Sequence, residues 1–248
     1  MILVKSPAEL ETMREAGRIT ALALRIVGEA VRPGITTAEL DAMAEAAILA
    51  ERARPAFKGY HGFPATLCTS VDGEVVHGIP GPRVLREGQI LSVDCGAIVD
   101  GYYGDSARTF AVGAIADEPK RLMDATQAAL VAGIARCQPG LRLYDISAAV
   151  QEVAESAGFS VVREYVGHGI GRAMHEDPQI PNYGRAGTGP VLKSGMVFAI
   201  EPMVNAGAPD VHSLDDGWTV VTTDGRPSAH FEHTVAVTEN GPLVLTVE

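Results

Sequence analysis

The chain has 248 residues, of which 46% are hydrophobic and 21% are charged, and its 20 basic and 31 acidic residues give a net charge of −11. This length suffices for one large domain, and the composition is that of a globular protein, which excludes a disordered or fibrous chain. The negative charge disfavours binding to nucleic acid or to an anionic membrane surface.

The cysteines and the apolar runs indicate the compartment. The three cysteines, Cys68, Cys95 and Cys137, form no CxxC pair, which argues against a disulfide scaffold and favours a reducing environment. The first residues lack the pattern of a signal peptide, and no segment approaches the ~20 apolar residues that a membrane span needs. We therefore expect a cytoplasmic protein that acts without a membrane.

Two helices are predicted in the first quarter of the chain. Residues 6–9 form a capping box with proline at the first helical position, and helical spacing of apolar residues continues until Pro33 and Gly34. Residues 36–39 form a second capping box, and the helix that it opens ends near Pro55. From about residue 57 to residue 112 the pattern changes to short strands broken by glycine and proline.

The same order of elements then repeats. A helix starting at Asp117 ends before Pro139 and Gly140, and a further helix and more short strands follow. Matching motifs recur at a nearly constant spacing, and two matching apolar runs end in Asp94 and Glu201, which are 107 residues apart. We predict an α+β fold in a single domain over residues 1–248, with pseudo-twofold-related halves at about 6–115 and 117–248 around a central antiparallel sheet.

Two aspartates are predicted to meet on a hairpin in the first half. Asp100 and Gly101 are a strong signal for a two-residue turn. With that turn, Asp94 faces Ala107, and Asp105 lies on the same side of the ribbon as Asp94. Two carboxylates so close repel each other, and burying them unpaired costs several kcal/mol each. A metal ion between them is the simplest compensation.

The second half offers the remaining candidate ligands. Glu201 is the counterpart of Asp94, Glu232 lies at the start of a later strand, and His168 adds an imidazole. The four carboxylates carry a total charge of −4, which two divalent cations cancel, and a site of oxygens with one imidazole suits Mn, Fe, Co or Zn. Two metals can share a hydroxide and polarise a carbonyl, which is the chemistry of a hydrolase.

Taken together, the motifs resemble those of type I methionine aminopeptidases. They lie at residues 93–94, 104–106, 167–171, 200–202 and 231–234, and the resemblance extends from about Ser6 to the end of the chain. It implies the pita-bread fold, in which two related halves enclose two metal ions. By position, Asp94 would bind one ion, His168 and Glu201 the other, and Asp105 and Glu232 both.

The resemblance also implies residues for catalysis and for substrate binding. His77 matches a histidine that contacts substrate near the scissile bond, His175 matches one that donates a hydrogen bond to the scissile carbonyl, and Glu201 could transfer a proton. Phe57 and Met174 depart from the expected pattern and leave the shape of the pocket open. The residues expected to line a pocket for methionine are Tyr60, His61, Phe63, Cys68 and Trp218, with Met174 nearby.

The function implied is removal of the initiator methionine from nascent chains whose second residue is small. The ribosome is a partner suggested only by the resemblance, and we expect a monomer. Two alternatives stay open: an Xaa-Pro-directed peptidase of the same fold, whose members usually carry a preceding domain, and a binding module without catalysis. Taken singly, the aromatic residues could belong to the core, and His61, His212, His230 and His233 are expected to be structural, with no part in catalysis.

Overall fold

The computed structural model describes residues 2–248 as helices and short antiparallel strands. The helices are α1 (Pro7–Ala30), α2 (Thr37–Ala50), α3 (Asp117–Ile134) and α4 (Leu143–Ser156). The strands are β1 (Arg54–Pro55), β2 (Leu67–Val71), β3 (Glu74–Val76), β4 (Ile90–Val99), β5 (Tyr102–Ala111), β6 (Ser160–Val161), β7 (Gly167–Gly169), β8 (Glu176–Ile180), β9 (Val197–Ile200), β10 (Met203–Asn205), β11 (Val211–Ser213), β12 (Val220–Thr222), β13 (Ser228–His230), β14 (His233–Thr238) and β15 (Gly241–Val244).

The first two helices begin at the predicted capping boxes. The Ser6 side chain accepts a hydrogen bond from the backbone of Glu9, whose carboxylate binds the Ser6 backbone in return, and Thr36 and Glu39 repeat this arrangement. Each box pairs two backbone N–H groups that a helix start would otherwise leave without a partner. Helix α1 ends at Ala30, shortly before the predicted stop.

The internal repeat is visible in the backbone hydrogen bonds that follow each first helix. The N–H of Leu85 donates to the carbonyl of Ile35 at 2.8 Å, and the N–H of Leu192 donates to the carbonyl of Leu141 at 2.8 Å. Each half therefore ties the segment after its first helix to a leucine that lies a few residues before β4 or β9. The resulting helix pairs, α1 with α2 and α3 with α4, each pack against strands of their own half.

The strands pair in four groups, all antiparallel. Strand β4 lies between β5 and β2 and also pairs with β1, whereas the largest group has the order β15, β14, β9, β7 and β8. The other groups are β13, β10 and β6, and β11, β12 and β3. Strand β12 of the second half pairs with β3 of the first, so the two halves share backbone hydrogen bonds.

The central hairpin has the predicted register. Strands β4 and β5 pair through their full length, and Asp94 lies opposite Ala107. The turn residues Asp100 and Gly101 have φ values of 47° and 81°, the left-handed conformations that a two-residue hairpin turn of this type requires. Asp94 and Asp105 consequently point to the same side of the ribbon.

Two further findings concern the cysteines and the membrane. Cys68, Cys95 and Cys137 are buried, and none forms a disulfide within residues 2–248. Over the same residues, no helix has both the length and the apolar character required to cross a bilayer.

Candidate metal centre and active site

The five predicted ligands lie on or directly beside five different strands and come close to one another. Asp94 and Asp105 lie on β4 and β5, His168 lies on β7, Glu201 directly follows β9, and Glu232 directly precedes β14. His168 Nε2 is 3.3 Å from Glu201 Oε1 and 4.0 Å from Asp105 Oδ2. Ligand atoms of Asp105, His168 and Glu232 all lie within 4.8 Å of one another. One ion could contact all three.

Hydrogen bonds between the halves hold Asp105 beside Glu232. The Thr234 hydroxyl accepts from the N–H of Asp105 at 3.0 Å and donates to its carbonyl at 2.7 Å. The Ser106 hydroxyl donates to the carbonyl of Glu232 at 2.6 Å, and the N–H of Glu232 donates to the carbonyl of Ala107 at 2.9 Å. These hydrogen bonds join β5 to residues 232–234 at the start of β14. They hold the two carboxylates at a fixed position relative to each other.

The tautomer of His168 suits a metal ligand. Its Nδ1 lies 2.9 Å from the carbonyl of Gly169, which can only accept a hydrogen bond, so Nδ1 carries the proton. Burial, followed by the nearby His175, lowers the pKa of His168 to about 4, so the ring is neutral near pH 7. The unprotonated Nε2 then faces the carboxylates with its lone pair, as imidazole ligands do.

Without a cation, the carboxylates resist ionisation. Burial raises the pKa of Asp94, Glu201 and Glu232 well above the ordinary range, and the charge on Asp105 raises each of them further. Burial also raises the pKa of Asp105, to about 7. Four acidic groups so close together favour a bound positive charge, since no lysine or arginine of residues 2–248 forms an ion pair with any of them.

Orphaned oxygen atoms support the same conclusion. Asp94 Oδ1, Asp105 Oδ1 and Glu232 Oε1 are buried and have no hydrogen-bond partner among the described residues. A buried oxygen without a partner is costly, and native proteins rarely leave several together. These residues therefore fit a divalent cation: hard oxygen donors of negative charge converge, and their free lone pairs lack any other partner.

A cavity of about 420 Å³ opens beside the candidate ligands. This volume is within the range of sites for small ligands. Phe63 is buried, and its ring meets the ring of Trp218 edge to face at 5.1 Å. All the residues that the sequence predicted for the site line this cavity: Tyr60, His61, Phe63, Cys68, His77, Asp94, Asp105, His168, His175, Glu201, Trp218 and Glu232.

Four of the predicted substrate contacts show a hydrogen bond, a ring contact or an unusual backbone conformation at the cavity. The Tyr60 hydroxyl is 2.8 Å from Nδ1 of His175, and the His175 and His168 ring centroids are 4.3 Å apart. His77 has a φ of 61° and His61 a φ of 47°, a region that residues other than glycine rarely occupy. Such strained backbones concentrate at functional sites, because the surrounding fold must hold them.

Three more residues lie at or near the site. Phe57 and Met174, which the sequence placed at the pocket without settling its shape, line the cavity and pack with Phe63 in one apolar cluster. His230, expected to be structural, has its Nε2 3.7 Å from Glu201 Oε2. No local motif points to His230, because β13 contains only three residues and its facing direction depends on long-range pairing.

Comparison with known proteins agrees with this geometry. The profile of metallopeptidase family M24 matches residues 11–239. Methionine aminopeptidase 1 of Bacillus subtilis is 55% identical over 246 residues, which cover 99% of each chain. The chain belongs to the methionine aminopeptidases of this family. The crystal structure of methionine aminopeptidase from Thermotoga maritima superposes with a TM-score of 0.99 at 49% identity, covering all of both chains.

The predicted fold class is thus confirmed as the α+β pita-bread fold of this family. A prolidase from Pyrococcus furiosus also shares the fold, with a TM-score of 0.79 and 24% identity, but the chain covers only 65% of it. At that identity the likeness concerns the fold alone. The comparisons therefore favour methionine aminopeptidases over the Xaa-Pro peptidase and the binding module.

Proposed function

We propose that this protein removes the N-terminal methionine from peptides and nascent chains whose second residue is small. The observation that carries the proposal is the convergence of four carboxylates and one imidazole in the lining of a cavity that also has apolar and aromatic walls. The charged groups suit a hydrolytic centre, and the apolar walls suit the side chain of methionine.

We further propose that two divalent ions, from among Co, Mn, Fe and Zn, bind this centre. Asp94 would hold one ion, His168 and Glu201 the other, and Asp105 and Glu232 would contact both. The orphaned oxygens of three of these carboxylates support this assignment. When bound, the ions supply Lewis acidity that activates water and polarises the scissile carbonyl.

Three side chains have proposed roles around the scissile bond. Glu201, whose pKa burial raises well above the ordinary range, would take a proton from the attacking water and deliver it to the leaving amine. His175 would donate a hydrogen bond to the oxygen that gains charge in the transition state. His77 would contact the substrate beside the bond; burial lowers its pKa to about 4, so it acts as a neutral ring.

Selection of methionine would depend on the cavity walls. Phe63, Trp218 and Tyr60 provide aromatic surface, and the thiol of Cys68 provides a small, polarisable contact. The thioether of methionine interacts favourably with aromatic rings, and an unbranched side chain fits a narrow apolar space better than a branched one. We also propose that residues 1–248 form one catalytic domain that works as a monomer in the cytoplasm.

The proposal is tested by peptide turnover. Protein stripped with a chelator should be inactive on Met-Ala-Ser, and activity should return with Mn or Co. An Ala-Pro dipeptide should remain intact under the same conditions, since the prolidase alternative predicts the opposite preference. His168→Gln serves as a variant that removes one ligand, and it should need more metal for the same rate. Absence of Met-Ala-Ser turnover in reloaded protein would refute the proposal.

A further inference from the structure

One buried ion pair lies outside the ligand set and the cavity lining. Lys5 Nζ contacts Glu176 Oε2, and the two side chains are only 6% and 8% exposed. Lys5 belongs to the segment before α1, 171 residues away from its partner in the chain. Taking two charges out of water costs free energy that their mutual attraction can fail to offset. A buried ion pair is therefore weak evidence for stability, and its presence suggests another role.

The carboxylate of Glu176 organises the preceding loop, residues 171–175. Its Oε1 accepts hydrogen bonds from the N–H of Arg172 at 2.9 Å and from the N–H of Ala173 at 3.4 Å. The loop also passes very close to the ion pair. A Cβ on Gly171 would lie 2.4 Å from Lys5 Cε and 2.5 Å from Glu176 Oε1. The loop therefore follows a path that depends on the position of this carboxylate.

That loop supplies two residues to the cavity. Met174 packs in the apolar cluster of the wall, and His175, adjacent to Glu176, reaches the Tyr60 hydroxyl. Met174 is fixed by its own packing, since it is only 3% exposed. His175 is exposed, so its position depends more on the backbone on either side.

Lys5 itself is held firmly. Its N–H donates to the carbonyl of Gly195 at 2.7 Å, and a Cβ on Gly195 would lie 2.7 Å from the Lys5 carbonyl oxygen. Gly195 precedes β9, the strand that leads directly to Glu201. The lysine thus connects the backbone near one candidate ligand with the loop that carries His175.

We propose that Lys5 is a positioning residue, which holds Glu176 and through it the loop 171–175, so that His175 meets the developing oxyanion. This inference rests on the proposed function. Because the contact of His175 would strengthen in the transition state, misplacing the ring lowers kcat more than it raises KM. Small displacements of positioned groups have large effects on rate.

The test compares steady-state kinetics of three lysine variants on Met-Ala-Ser. Lys5→Met should lower kcat about tenfold with KM changed less than about twofold, and Lys5→Arg, which keeps the cation, should recover most of the rate. Lys120→Met is the matched control, because Lys120 is exposed and pairs with Asp124 on α3, away from the cavity. Its kcat and KM should equal those of the wild type. Should Lys5→Met not fold, Lys5→Gln takes its place with the same expected loss of kcat.

A double-mutant cycle with His175→Ala separates positioning from a general structural role. If Lys5 acts through His175, adding Lys5→Met to His175→Ala should change kcat less than about twofold. Faster amide exchange at Arg172 and Ala173 in Lys5→Met is expected as well, and this readout is independent of activity. A full tenfold loss in the His175→Ala background, or wild-type kcat in folded Lys5→Met, would overturn the inference. Inactive wild-type protein would instead count against the proposed function.

Discussion

Replacing Asp105 with asparagine should stabilise the metal-free protein at high pH. The side chain is 5% exposed, and burial raises its pKa to about 7, above the value of about 3.9 for an aspartate in an unfolded chain. The folded state therefore binds the proton more tightly than the unfolded state. Asparagine has nearly the same shape and carries no charge at any pH, so it isolates the effect of ionising this carboxyl group.

The sign and the magnitude of this change in stability follow from the pKa values in the folded and unfolded states. Because the pKa is higher in the folded state, the contribution of Asp105 to the free energy of unfolding falls as pH rises between about 4 and about 7, and this contribution does not fall further above that. A difference of about three pH units corresponds to roughly 4 kcal/mol. At pH 8 the metal-free Asp105→Asn protein should therefore be more stable than the wild type by up to that amount, and at pH 5 by much less.

Urea unfolding in the presence of a chelator measures this difference at pH 5 and pH 8. Asp124→Asn controls for the loss of one negative charge, since Asp124 lies on the exposed surface of α3. Adding Mn should reverse the order, because an ion that binds only the folded state stabilises the wild type more than a variant lacking one ligand. The same variant should lose nearly all peptide turnover.

One outcome would refute this reasoning. If metal-free Asp105→Asn is less stable than the wild type at pH 8, then the ionised carboxylate is well compensated by the protein alone. The orphaned oxygens would then not indicate a cation site. Equal stabilisation of both proteins by Mn would likewise show that Asp105 is not a ligand.

Two further predictions concern packing and the cavity. Gly17→Ala should lower the free energy of unfolding by about 3 kcal/mol in urea titrations, because the new Cβ would lie 2.3 Å from the carbonyl oxygen of Leu245. A gain in stability, the usual result of this substitution in a helix, would contradict the close backbone contact. Trp218→Ala should raise KM for Met-Ala-Ser about tenfold with a small effect on kcat, because it removes apolar surface that binds the ground state and the transition state alike. A loss confined to kcat would argue that the indole acts in the chemical step.

Local sequence signals were enough to predict helix starts and the register of the central hairpin. The capping residues fixed the starts of α1 and α2, and the Asp100–Gly101 turn fixed the register that places Asp94 and Asp105 on one side of a ribbon. These signals depend on neighbours within a few residues, so they can be read without the fold. The repeat extended the inference to Glu201, because a duplicated unit carries its geometry with it.

Only the tertiary structure revealed several other contacts between distant groups. The hydroxyl of Thr234 binds the backbone of Asp105 across 129 positions, and Lys5 reaches Glu176 across 171. Strands of three residues, such as the one ending in His230, are too short to show a period of two, and their facing direction comes from the strands beside them. Such contacts have no local sequence pattern from which they could be predicted. The free energy that selects them is gained only when both halves have packed together.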